Sequence, residues 1–184
     1  VGVEVVDSNV VYQGSSNEEV ALVAASKRCG FEFFGRTATT ISMNAPDQQR
    51  TYQLLNVLPF TPERRRMSVI VWDGQDVILY CKGAENAMTE RLRPFALCGK
   101  MLRQLSEFTE AGYRSLVVAM RKLTAAEYHE FVARDNDPDV VERDLMIVGV
   151  TAVEDTLHPG VREAVVRLKE GGVKVWMATG DNRE

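Results

Sequence analysis

Apolar positions along the chain follow two periodicities, and where each holds decides the elements the sequence predicts. The run Glu18 to Cys29 reads as a helix. Two overlapping capping boxes precede it, Ser15 with Glu18 and Ser16 with Glu19, and Gly30 closes it. Arg66 to Asp73 and Val77 to Cys81 read as strands at period two, and Asp73-Gly74 between them supplies a tight turn, so an antiparallel hairpin is predicted. Helices follow at about 86–93, stopped by Pro94, and at Leu102 to Ala111, stopped by Gly112. Arg114 to Met120 reads as a strand. Thr124 and Glu127 form a third capping box opening a helix from Ala125 to Ala133. The polar stretch Asp135-Asn136-Asp137-Pro138 is turn-like, and a domain boundary is expected just beyond it.

From Leu145 the pattern changes. An apolar run ends in Glu154-Asp155, Pro159 opens a helix, Gly171-Gly172 ends it, and a second apolar run, Val173 to Ala178, leads into Thr179-Gly180-Asp181. This predicts a strand-helix-strand unit with two parallel strands joined by a right-handed crossover. In such sheets ligands bind beyond the carboxyl ends of the strands, where Glu154, Asp155, Thr179, Gly180 and Asp181 would lie. The expected organisation is an α+β domain over 1–144, an antiparallel sheet flanked by helices, followed over 145–184 by a partial β-α-β unit.

Composition narrows the classes of function. A 45% hydrophobic content suffices for a substantial core, and a net charge of −4 with no long basic stretch speaks against nucleic acid as a partner. The three cysteines, Cys29, Cys81 and Cys98, are widely spaced and far from His129 and His158, so the sequence offers no zinc-type ligand cluster and suits a reducing compartment. No apolar run approaches the ~20 residues that cross a bilayer, and the basic-then-apolar start of a signal peptide is absent. Val1 in place of a methionine and a chain end just past a strand-like run are what a piece of a longer protein would show.

Three places could carry chemistry. Lys82-Gly83 leaves a predicted strand, where the lysine can meet an anion and the glycine leaves room for a ligand; a solvated turn looks the same. Phe60 stands before a basic cluster that includes Arg64, Arg65 and Arg66, so an aromatic face for a purine and guanidinium groups for phosphates lie side by side; a core phenylalanine beside a solvated turn is the alternative. Thr179-Gly180-Asp181 offers a hydroxyl, an open backbone amide and a carboxylate at a strand end, suited to a phosphoryl group and its Mg2+, or to a plain turn.

In this order, the motifs resemble those of P-type ATPases, and the phospholipid-flippase branch in particular. Tyr12 to Val23 resembles the flippase segment YQASSPDEAALV, Gly30 to Thr37 its GFxFxGRT, and Leu54 to Phe60 with Arg64 and Arg66 to Val69 its LLNVLEFxSxRKRMSV. Tyr80 to Glu85 is similar to YCKGAD, Ala111 to Leu116 to AGLRTL, Gly149 to Leu157 to GATAIEDKL, and Val175 to Asp181 to IWVLTGD. The sequence departs from the pattern at Asn17-Glu18, Pro59, Glu85 and Asn182.

The resemblance implies that residues up to about 144 are a nucleotide-binding domain and that 145–184 begin the second part of a haloacid-dehalogenase-like phosphorylation domain. It implies that Glu19 accepts from the adenine amino group, Phe60 stacks on the ring, Lys82 lines the base and points toward the phosphates, Gly83 belongs to the same nucleotide site, and Arg114 meets the phosphates, with Arg65 and Ser68 at the rim. Thr179, Gly180 and Asp181 would belong to the phosphoryl-transfer site, with Glu154 and Asp155 near it. ATP is the implied ligand, with Mg2+ held mostly by residues outside this chain. The acceptor motif Asp-Lys-Thr-Gly-Thr occurs nowhere in the sequence, so no catalytic residue is expected and the piece alone should not turn over. The implied parent is a membrane enzyme that moves phospholipid, with this part in the cytosol and with an accessory subunit as a possible partner. A cation-transporting relative, a stand-alone hydrolase with a large cap, and a degenerate protein-binding domain are the alternatives.

Overall fold

In a computed structural model, which describes residues 1–6, 9–14, 16–94, 99–154 and 158–178, the first element is a two-stranded antiparallel hairpin, β1 (Gly2–Val6) and β2 (Asn9–Gln13). Helix α1 (Asn17–Arg28) follows, capped by Ser16, whose hydroxyl accepts from the Glu19 amide at 3.2 Å. Then come β3 (Glu32–Arg36), β4 (Thr40–Asn44), β5 (Gln49–Leu58), β6 (Arg66–Trp72) and β7 (Val77–Gly83). Short α2 (Glu85–Thr89) and longer α3 (Gly99–Glu110) lead to β8 (Arg114–Leu123), and α4 (Ala125–Ala133) and α5 (Pro138–Val141) lead to β9 (Met146–Val153). Strands β3 to β9 form one antiparallel sheet whose spatial order is the order of the chain.

The sheet is curled. Six strand spacings of ~4.8 Å would hold the edges of a flat sheet ~29 Å apart, whereas a 12-residue helix is only ~18 Å long. Yet α1 packs against both β3 and β9, the two edge strands.

Alternation along β6, β7 and β8 sorts side chains onto two faces. One face carries Ile70, Leu79, Cys81, Val117, Ala119 and Leu123, covered by Met88 of α2, Leu105 of α3, Phe131 of α4 and Val140 and Val141 of α5. The other carries Val69, Val71, Ile78, Tyr80 and Met120. A bulge between Leu54 and Asn56 on β5 makes the switch: Leu54 belongs to the second face, while Asn56 turns to the first, where its side chain meets Tyr128 and Asn136.

The hairpin over 66–83 forms as the alternation predicts, with the Asp73 carboxylate accepting from the amides of Gln75 and Asp76 at 2.9 and 2.8 Å and Gly74 at φ +103°. The capping box of α4 is complete in both directions. Of the two boxes expected before α1, the one from Ser15 lies outside the described residues. The helix expected over 86–93 stops at Thr89, whose hydroxyl bonds back to the Glu85 carbonyl, and the chain beyond bridges to Leu145 instead. Strands β1 to β5 were not among the expected elements.

The second half differs from expectation in one respect. Residues 146–153 form the expected strand, but it pairs antiparallel with β8, and residues 173–178 form no strand, so no parallel pair is made. Residues 173–178 are exposed throughout, so no burial of their apolar side chains holds them in a sheet. By compactness the chain divides into Val1–Glu154 and Asp155–Glu184. The second unit contains α6 (Val161–Glu170), preceded by Gly160 and followed by Gly171-Gly172, with Gly160 and Gly172 at positive φ. Among the described residues no helix is long and apolar enough to cross a membrane.

Phe131 is fully buried between sheet and helices, its ring 6.2 Å from that of Tyr128. Phe131→Ala should therefore lower unfolding free energy by about 3 to 5 kcal/mol, read from the urea midpoint.

Candidate functional site

A cavity of about 270 Å³ opens at the end of the sheet where the N-terminus of α1, the 59–66 loop and the ends of β7 and β8 meet. Glu19, Phe60, Arg65, Lys82 and Gly83, all singled out from the sequence, line it. Ser16, Glu18, Met67 and Leu116 complete the wall. Met67 stands opposite Lys82 in the β6–β7 ladder, so the strand period that aims Lys82 into the cavity also aims Met67.

The walls differ in charge. Two carboxylates, Glu18 and Glu19, occupy the first turn of α1, where the helix dipole favours them and where they offset its attraction for an anion. Lys82 and Arg65 supply the positive charge. Lys82 Nζ donates to Glu19 Oε1 at 3.4 Å, and each side chain is about one quarter exposed, so the pair contributes only about 0 to 1 kcal/mol and yields readily to a ligand. The acidic wall suits a donor such as an exocyclic amine, and the cationic groups suit phosphate oxygens.

Phe60 is not a core residue: it is 61% exposed, with its ring at the cavity. The loop that carries it is tightly built. Thr61 closes one turn, its hydroxyl accepting from the Arg64 amide at 3.2 Å and its carbonyl from the Arg65 amide at 2.8 Å. Arg65 ends the turn at φ +49°, a conformation that costs a non-glycine residue free energy. Its carbonyl accepts from the Ala84 amide at 3.0 Å, tying the loop to the end of β7.

Gly83 serves a different purpose from the one its sequence position offers. A β-carbon there would lie 2.5 Å from Arg66 Cβ and 2.8 Å from the Arg65 carbonyl oxygen, so its missing side chain makes room for the neighbouring loop rather than for a ligand.

Two other predicted residues stand apart from the cavity wall. Ser68 is fully buried on the opposite face of β6, where its hydroxyl donates to Glu142 Oε1 at 2.6 Å. The same alternation that aims Met67 inward turns Ser68 away. Arg114 is exposed at the start of β8, two residues before Leu116 and on the same face, outside the wall itself. Thr179, Gly180, Asp181 and Asp155 lie outside the described residues, and Glu154 is exposed just past β9. Among the described residues no group of three or more His, Cys, Asp or Glu side chains is placed to hold a metal ion.

Sequence reasoning missed Glu142. Its carboxylate is fully buried and receives Arg66 Nε at 2.6 Å, Ser68 and the Arg64 guanidinium. The basic cluster was legible, but its acidic partner lies 78 residues from Arg64, beyond the stretch 135–138 read as a turn.

The chain belongs to the family described as P-type ATPase, cytoplasmic domain N, which it matches over residues 7–160. It is 40% identical to phospholipid-transporting ATPase 10 of Arabidopsis thaliana, across 96% of this chain and 17% of that protein. It is 38% identical to phospholipid-transporting ATPase FetA of Mus musculus, across 98% of this chain and 17% of that protein. The chain thus spans about one sixth of the length of these relatives.

Two outcomes follow from the packing. Gly83→Ala should lower stability by about 1 to 3 kcal/mol in urea unfolding, because backbone must move to admit the methyl group. Cys81, buried beside Met88, has its thiol pushed up from 9.0 to about 11, chiefly by burial. The folded state favours the protonated thiol, so its contribution to stability is intact below pH 9 and lost as pH rises toward about 11. Peptide mapping after alkylation at pH 8 should find exposed Cys29 modified and Cys81 protected until the chain unfolds.

Proposed function

We propose that the cavity binds the adenine end of ATP and that the chain is the ATP-presenting part of a P-type ATPase that moves phospholipid. The observation that carries this reading is the meeting of an exposed aromatic ring, Phe60, with Lys82, Arg65 and Glu19 around one cavity. In the bound state the purine stacks on Phe60, its amino group donates to the Glu19 carboxylate, and Lys82 leaves Glu19 to face the phosphates. Arg65, and Arg114 beyond the wall, lie on the side toward which the triphosphate extends. Ser68 takes no part in contact with the ligand.

The cavity is smaller than the roughly 300 to 1,000 Å³ of most ligand sites, which fits a base and sugar held here with the phosphates leading outward. Affinity should accordingly be weak, on the order of 0.1 to 1 mM. Mg2+ accompanies the nucleotide and draws its other ligands from elsewhere in the parent. The chain contains no Asp-Lys-Thr-Gly-Thr segment, so the aspartyl-phosphate would form on another part of the parent, and this piece alone binds without turnover.

The names of the relatives support phospholipid as the parent's substrate. The family's description as a cytoplasmic domain supports a cytosolic position for this part of a membrane protein. An accessory subunit belongs to the same reading. The change of pattern at Leu145 supports a boundary near 144, with 145–184 the start of the phosphorylation domain and Thr179, Gly180 and Asp181 at its transfer site; β9 nevertheless completes the main sheet, and the compact unit runs to Glu154.

The test is an amide-shift NMR titration with ATP, with and without Mg2+. Saturable shifts are expected around Glu19, Phe60, Arg65 and Lys82. Phe60→Ala should weaken binding by roughly 1 to 3 kcal/mol, the worth of one stacked base, and Lys82→Ala should weaken ATP more than adenosine. A folded sample that millimolar ATP leaves unmoved would turn the reading toward a degenerate, protein-binding domain.

A further inference from the structure

Glu142 touches no part of the cavity, yet two of the three groups its carboxylate holds, Arg64 and Arg66, belong to the loop that does. It sits just past α5, whose Val140 and Val141 are locked into the core, and its own amide donates to the Pro138 carbonyl at 2.8 Å. Its position is therefore fixed by the core. Its carboxylate is fully buried and holds two guanidinium groups and one hydroxyl. From there one path runs through Arg64, whose Nη1 donates to the Pro59 carbonyl at 2.6 Å, the residue next to Phe60. Another runs through Arg66, whose Nη1 donates to the Arg64 carbonyl at 3.1 Å, immediately before Arg65. Arg65 is thereby held at positive φ with its carbonyl on the Ala84 amide.

We propose that Glu142 is a positioning residue for the nucleotide pocket: its buried carboxylate, through Arg64 and Arg66, fixes the 59–66 loop so that Phe60 and Arg65 face the cavity before ligand arrives. The inference rests on the nucleotide reading of that cavity. Its physical content is preorganisation. Phe60 is mostly exposed and receives little packing of its own, so its placement must come from the backbone beneath it. The backbone carbonyls on either side of that turn, at Pro59 and Arg64, are both held by guanidinium groups that the carboxylate orders. Loss of the charge at 142 frees the loop to sample conformations in which the ring leaves the cavity. Apparent affinity then falls in proportion to the remaining competent fraction.

Glu142→Gln keeps the shape and removes the charge. Arg64→Gln, at a side chain that is partly exposed and outside the cavity wall, removes the link to Pro59 with less risk to the core. Each variant is measured in the 184-residue chain by core methyl shifts, by heteronuclear NOE over 60–65 without ligand, and by ATP titration. The expected result is native core shifts, a lowered NOE confined to 60–65, and a dissociation constant raised about tenfold, as for a loop competent about one tenth of the time. A purely structural role would change stability and leave loop order and affinity alone in whatever remains folded. Should Glu142→Gln fail to fold, Arg64→Gln decides. If the unmodified chain binds ATP and the folded variants bind as tightly with unchanged loop order, this inference is overturned and the nucleotide reading stands. If the unmodified chain shows no ATP shifts, both fall together.

Discussion

A carboxylate removed from water must be met by cations and donors, or the fold that buries it cannot stand. Glu142 is in that position, and the need to satisfy it governs where Arg64 and Arg66 go and how the chain between Pro59 and Arg66 turns, with Ser68 on the inner face of β6 as the third donor. Replacing the cluster with apolar side chains would not preserve the same shape, because the guanidinium forks also hold the carbonyls of Pro59 and Arg64. The arrangement converts a buried charge into a shaped surface loop.

The cavity beside it is built on the opposite principle. Its charged groups are partly exposed, and the Glu19–Lys82 pair is long at 3.4 Å. A rigid, buried network thus supports a loose, solvent-accessible one. That division suits a site that must exchange its ligand: the positions are set by groups that never meet the ligand, while the groups that do meet it can change partners at small cost.

Much of this was legible along the chain, for identifiable reasons. The 66–83 hairpin follows from period-two alternation around Asp73-Gly74, and α4 from its capping box; both are local signals that tertiary structure did not override. The cavity residues Glu19, Phe60, Arg65, Lys82 and Gly83 were reachable only because separate motifs were read together, since α1, β6 and β7 bring them into one place from distant stretches. Strand β5 was hidden by its bulge, which leaves Leu54, Leu55, Val57 and Leu58 clustered around Asn56 rather than in a regular alternation. Ser68 was misassigned because a motif names neighbours in sequence, whereas a strand sends neighbours to opposite faces. Glu142 carried no local signal at all, as the meaning of a buried acid lies in partners that sequence distance conceals. The parallel pair expected across 145–178 depended on a second strand that does not form.

The order of the strands has a consequence for how the molecule comes into being. Because each strand of the main sheet pairs with its neighbour in sequence, the sheet can assemble by successive short closures, and as far as β7 it can do so while later residues are still being added to a growing chain. The Phe60 loop cannot reach its final shape that early. Its fastening lies 76 to 78 residues downstream, so the binding surface matures only after α5 has been made and docked. A nascent or truncated chain ending before Glu142 would carry much of the sheet and yet lack the fastening of its pocket, which separates, in time, the acquisition of a fold from the acquisition of a binding site.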